Sequence, residues 1–76
     1  MNETTIKQSF RMLEAGCPEV GLRMDGHKII AENIPLGRLW DIVHNLGLEY
    51  EMPTDLTSNE LVEALVRAIE DYYRNQ

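Results

Sequence analysis

The chain has one cysteine in 76 residues, Cys17, so no disulfide can form within it. That usage is typical of a reducing compartment. Cys17 lies between Gly16 and Pro18, and neither histidine, His27 or His44, is near it in sequence. We therefore interpret it as a structural thiol and not as a nucleophile.

The sequence also lacks long apolar runs, and none approaches the length needed to span a bilayer. Its first five residues carry neither the basic region nor the apolar run of a signal peptide. We therefore expect a cytoplasmic protein with no membrane association.

Signatures of catalysis are missing as well. No pair among the His, Cys, Asp and Glu residues has the spacing of metal ligands, and the five glycines are too scattered for a phosphate loop. Asp41 and His44 are three apart on a predicted helix, which usually indicates a solvated face. The sequence predicts a noncatalytic protein with no catalytic residue, no metal and no cofactor.

Basic residues are few, with seven Lys and Arg against thirteen Asp and Glu, for a formal net charge of −6. Such a chain repels phosphate backbones, which disfavours nonspecific nucleic-acid binding. Acidity keeps a small protein soluble, and that is its ordinary role. The alternative interpretation is an acidic surface that meets a basic partner.

The clearest signal present is a helix in residues 56–74. Thr57 and Glu60 have the spacing of a capping box, and Leu56 and Leu61 can close a hydrophobic staple around it. Two acid–base pairs at i, i+4 support the helix, namely Glu63–Arg67 and Glu70–Arg74. Its predicted apolar face consists of Leu61, Leu65, Ala68, Ile69 and Tyr72.

A first helix is predicted from a cap at Thr4 or Thr5 to about Ala15, with Gly16 ending it. The apolar face is expected at Ile6, Phe10 and Leu13, with Met12 beside it, and the opposite face at Lys7, Gln8, Arg11 and Glu14.

A β-hairpin follows in residues 19–31. Asp25-Gly26 is typical of a type I′ turn. The register expected from that turn pairs Met24 with His27, Leu22 with Ile29, and Val20 with Ala31.

A second helix is predicted to begin at Asn33-Ile34-Pro35 and to end at Gly47. Its expected apolar stripe is Leu36, Leu39, Trp40, Val43 and Leu46, with Ile42 outside it. Residues 48–55 are expected to be an extended connection in which a short strand could form.

Together these elements predict a small single α+β domain over residues 1–76, in the order helix–β-hairpin–helix–helix. The alternative is an all-α three-helix domain. Because a lone hairpin and a small core are both marginal, we also expect a homodimer, formed by edge pairing through residues 20–24 or by helix packing.

The last two helices resemble the helix–extended-loop–helix modules of the SAP and LEM kind. The residues that carry this resemblance are Leu39, Val43, Leu46-Gly47-Leu48, Thr57, Glu60-Leu61 and Ala64-Leu65. The resemblance implies a nucleic-acid-binding module in residues 35–74, or a protein-binding one as in some LEM-type members. SAP-type modules that grip DNA carry basic residues here, whereas this chain has Glu49, Glu51 and Asp55.

The preferred hypothesis is a protein-binding module that regulates or inhibits a partner protein with a basic surface. In size and charge the chain is similar to small acidic phage inhibitors of host defence, which mask a basic nucleic-acid-binding surface. Direct nucleic-acid binding is the alternative. The predicted partner-binding residues combine acids with aromatic side chains and are Glu49, Tyr50, Glu51, Asp55, Glu63 and Tyr73.

Overall fold

A computed structural model describes residues 2–76, apart from the side chain of Glu51. Three helices and one antiparallel hairpin form, which confirms the α+β class and excludes the all-α alternative. The elements are α1 (Ile6–Ala15), β1 (Leu22–Asp25), β2 (Lys28–Ala31), α2 (Leu36–Asn45), a short 3-10 helix (Glu49–Glu51) and α3 (Ser58–Arg74). Helix α3 packs against both α1 and α2, and α1 also packs against strand β2.

Capping boxes begin both the first and the last helix. At α3 the Thr57 hydroxyl accepts from the Glu60 backbone N–H at 3.3 Å, and the Thr57 N–H donates to the Glu60 carboxylate at 3.0 Å, as predicted. Thr5 and Gln8 form the same reciprocal pair at α1. Helix α1 ends at Gly16, whose φ of +106° is accessible to a residue without Cβ.

The hairpin forms where it was predicted, but its register is shifted. Leu22 pairs with Ala31 and Met24 with Ile29, so Gly26 and His27 occupy the turn. Of these two only Gly26 has positive φ, +66°, which fits a type II′ turn with glycine first. The I′ expectation was wrong because Asp25 belongs to β1. The shift is two residues, so the same side chains still share a face.

The buried face of α1 also differs from the prediction. Met12 and Ser9 are fully buried, whereas Ile6 and Phe10 are exposed. The apolar stripe therefore points about a quarter turn away from the core, given the helical repeat of 3.6 residues.

A buried polar cluster at Thr4 explains why Ser9 faces inward. The Thr4 and Ser9 hydroxyls are 2.6 Å apart, and the Ile34 N–H donates to the Thr4 hydroxyl at 2.7 Å. The Thr4 N–H donates in turn to the Ile34 carbonyl, so the segment before α1 lies alongside the segment before α2. Asn33 donates its side-chain N–H to the Thr4 carbonyl. It therefore does not cap α2, whose N-cap is Pro35.

The core lies among the three helices and the base of the hairpin. Helix α3 is flanked on two sides, so its buried face is wider than predicted and includes Val62 and Val66 beside Leu65. Ile42 of α2 is buried as well, although it lies outside the apolar stripe that the sequence predicted for this helix. The remaining buried apolar residues are Met12, Cys17, Val20, Ala31, Ile34, Leu39, Val43 and Ile69.

Candidate functional site

An acid-lined groove lies between α2 and the start of α3. We call it the acidic groove and define it by the carboxylates Glu49 and Asp55 together with the apolar side chains of Trp40, Met52, Leu56 and Leu61. The connection from α2 to α3 forms one wall. Two of the predicted partner-binding acids are therefore brought to the same surface depression.

Three residues of the connection are helical, where the sequence predicted an extended segment in which a short strand could form. Residues Glu49–Glu51 form a 3-10 turn after Gly47, which has a left-handed φ of +71°. A 3-10 turn projects side chains about every third residue, so Glu49 and Met52 can share one side. Both residues line the acidic groove.

Glu49 is positioned by a contact with α2. The Nδ1 atom of His44 lies 2.8 Å from the Glu49 carboxylate, and the His44 side chain is itself largely exposed. This contact holds the carboxylate of a groove-lining residue, and the Glu49 side chain remains 35% exposed.

Asp55 occupies an unusual backbone conformation. Its φ of +63° makes it the only non-glycine residue with positive φ in residues 2–76. Aspartate and asparagine tolerate this region better than most side chains. The residue is exposed and lines the acidic groove.

Tyr50 is the most exposed large hydrophobic side chain of the described residues, at 89%. It follows Glu49 directly in the 3-10 turn. An aromatic ring with a polar tip beside carboxylates is suited to protein contact, because tyrosine presents a large area with little conformational freedom to lose.

Glu63 has a structural partner and lines a neighbouring depression that shares Leu56 with the acidic groove. Arg11 of α1 donates to both of its carboxylate oxygens, at 2.9 and 3.1 Å, and Gln8 adds a third hydrogen bond at 3.0 Å. These bonds, Arg11 first among them, lower the pKa of Glu63. The carboxylate thus links α1 to α3.

Tyr73 is half-buried and packs on the core, although sequence reasoning placed it off the main stripe of α3. Its ring meets that of Tyr72 edge to face, with centroids 5.1 Å apart. The core on which Tyr73 packs includes the buried Cys17. Burial raises the pKa of both groups, which suits a structural role for Cys17. The side chain of Glu51, the remaining predicted contact, lies outside the described part of the chain.

The sequence did not place Trp40, Leu56 and Leu61 in the contact region, although they line the groove. Trp40 and Leu61 were assigned to the core and Leu56 to a hydrophobic staple. Each of the three is only half-buried. Their nearness to the acids in sequence, with Met52 between Glu49 and Asp55, was the one available signal.

The basic side chains of α3 are engaged with acids of the same helix. Arg74 pairs with Glu70 at 3.1 Å, and Arg67 approaches Glu63 at 3.9 Å, as the i, i+4 spacing predicted. This arrangement does not present a cationic track for a phosphate backbone.

Among the described side chains, those of residues 2–76 other than Glu51, no cluster of three or more His, Cys, Asp and Glu has the geometry to hold a metal ion. Among the same residues, no helix combines the length and the apolar character that crossing a membrane requires.

Comparisons with protein-family models, with curated proteins and with solved structures found no match.

Proposed function

We propose that this chain is a noncatalytic, cytoplasmic protein-binding module that regulates or inhibits a partner protein through the acidic groove. The observation that carries the proposal is the combination in one depression of two carboxylates, Glu49 and Asp55, with four half-buried apolar side chains.

The chemistry of the groove defines the partner. An arginine or lysine head would meet Glu49 or Asp55, while an adjacent apolar side chain would enter between Trp40, Met52 and Leu61. The half-buried lining supplies apolar area for affinity, and the carboxylates supply orientation and a faster encounter.

Charge supports a particular mode of inhibition. With a net charge of −6, the chain is attracted to the surfaces that attract nucleic acid. Occupying such a basic surface would exclude the nucleic acid by competition, as small acidic phage inhibitors of host defence do.

A charge variant of the groove tests the proposal. We expect Glu49→Lys combined with Asp55→Asn to slow association with the partner at least tenfold at low salt and to change its dissociation rate less, because rim charges act mainly on encounter. Asparagine at residue 55 removes the charge and still tolerates the left-handed backbone. The partner is first captured from a lysate of the source organism with the unmodified chain.

The matched control changes two exposed acids away from the groove, Glu14→Lys with Glu19→Gln. It alters the net charge by the same amount, so a nonspecific charge effect would slow both variants equally. That result, or unchanged kinetics in the groove variant with its circular dichroism intact, would refute the proposal.

Direct binding to nucleic acid separates the two functional hypotheses. We expect no binding of short DNA or RNA duplexes or single strands at physiological salt. Binding that weakens steeply as salt rises would favour the nucleic-acid module over the protein-binding one.

A further inference from the structure

One face of the hairpin is apolar and open to solvent. Leu22, Met24 and Ile29 are 55%, 62% and 67% exposed. The observed register places all three on the same face, because Met24 pairs with Ile29, and Leu22 pairs with Ala31. Ala31, at the base of that face, is buried, so the core covers the face at its base and leaves it bare towards the turn.

This face carries no charge. Residues alternate sides along a strand, so Arg23, Asp25 and Lys28 all project to the opposite face of the hairpin. We call the uncharged side, formed by Leu22, Met24 and Ile29, the hairpin face. In a chain whose residues are 26% charged, two copies of this face can meet without opposing charges at the contact.

The neighbouring helix also carries exposed apolar side chains. Helix α1 packs against β2, and its Ile6 and Phe10, one turn apart, are 41% and 46% exposed. Taking roughly 200 Å² for a fully exposed large side chain, the three residues of the hairpin and these two together present on the order of 500 Å². A standard interface buries about 800 Å² on each partner, so a contact that includes both elements would reach more than half of that size.

We propose that the hairpin face packs against the same face of a second copy of this chain and forms a two-fold symmetric dimer. A two-stranded hairpin is marginal in water, and stacking two of them gives each a second apolar layer at about 10 Å, as in a sandwich. A foreign partner recognised by charge would be drawn elsewhere, because the exposed hairpin face is uncharged. This proposal is independent of the acidic groove and its partner.

Sedimentation of the purified chain tests the dimer directly. Because this contact is smaller than a standard interface, we expect a dimer that dissociates in the micromolar range. The double variant Met24→Thr, Ile29→Thr should be monomeric throughout that range, since threonine keeps the strand preference and removes apolar area. A monomeric unmodified chain at all concentrations up to about a hundred micromolar would overturn the proposal, whatever the variants do.

The matched control changes the other face of the hairpin. Arg23→Gln with Lys28→Gln should leave the dimer intact, and loss of the dimer in this control would contradict packing through the uncharged face.

Amide exchange distinguishes pairing of the β1 edge from packing of faces. The N–H groups of Leu22 and Met24 point away from β2, given that the Glu32 N–H bonds to the Gly21 carbonyl and the pattern alternates. Their protection only in the dimer would show edge pairing and refute face packing.

Discussion

Arg11 is the residue that most clearly links two elements through charge. Its guanidinium donates to Glu63 and Glu70, with contacts between 2.8 and 3.1 Å, while its side chain is only 30% exposed. The bidentate geometry with Glu63 suits arginine and would be lost with lysine. Sequence periodicity placed Arg11 on the outer face of α1, because a pattern of apolar residues does not reveal a partner more than fifty residues away.

Removing this guanidinium should destabilise the fold. We expect Arg11→Met to lower the free energy of unfolding by about 1–3 kcal/mol, since it leaves two partly buried carboxylates without their donor while keeping a stem of similar length. Urea denaturation at one protein concentration measures the loss. Arg67→Met is the control, because that side chain is 71% exposed and should contribute less than about 0.5 kcal/mol. Equal losses in the two variants would contradict the assignment.

The contacts of Arg11 with Glu63 and Glu70 also make the stability of the fold depend on pH. Arg11 lowers the pKa of both Glu63 and Glu70 in the folded state. The stability they add is therefore present above the ordinary carboxyl pKa of about 4.3 and is lost as pH falls through the lower folded values. The difference in stability between the unmodified chain and Arg11→Met should shrink as pH falls from 6 towards 3 in the same urea titrations. A constant difference would mean that the carboxylates are not coupled to Arg11.

At the scale of elements, short sequence motifs predicted where helices and the hairpin begin and end. The capping box at Thr57, the stop at Gly16 and the hairpin around Gly26 all follow from side-chain chemistry within a few residues. The faces that each helix buries depend on its neighbours. Val66 is buried because α3 has a helix on either side, and Ser9 is buried because Thr4 offers its hydroxyl a partner.

Leu65 tests which face of α3 supports the fold. Its side chain is fully buried, so Leu65→Ala should cost about 2–5 kcal/mol of unfolding free energy through lost burial and a residual cavity. Leu61→Ala, at a half-buried position, should cost less. Thermal or urea unfolding followed by circular dichroism measures both. A loss below about 0.5 kcal/mol for Leu65→Ala would place the core on another face.

At the scale of the whole molecule, the two proposed surfaces belong to different elements. The acidic groove is built by α2, the connection and α3, whereas the hairpin face is formed by β1 and β2. The positions of acids and aromatic residues in the sequence predicted an acidic contact region that includes Glu49, Tyr50 and Asp55. The sequence could not show that Trp40, from another helix, lines the same depression, since that depends on how α2 crosses α3. The sequence also placed Glu63 in the contact set, and that role stays a prediction; the fold adds that the carboxylate of Glu63 accepts hydrogen bonds from Arg11.

Because Cys17 is buried, the rate at which its thiol is labelled measures local opening of the fold. Cys17 is 1% exposed and belongs to the core on which Tyr73, near the end of α3, packs. A thiol-reactive dye can attack only when the fold opens around Cys17, so the labelling rate reports how readily that opening occurs. With no other cysteine in the sequence, all of the protein's labelling comes from this residue, and no label site has to be introduced. If partner binding in the acidic groove, or dimer formation through the hairpin face, stiffens the fold, the thiol of Cys17 should be labelled more slowly. Cys17 belongs to neither surface.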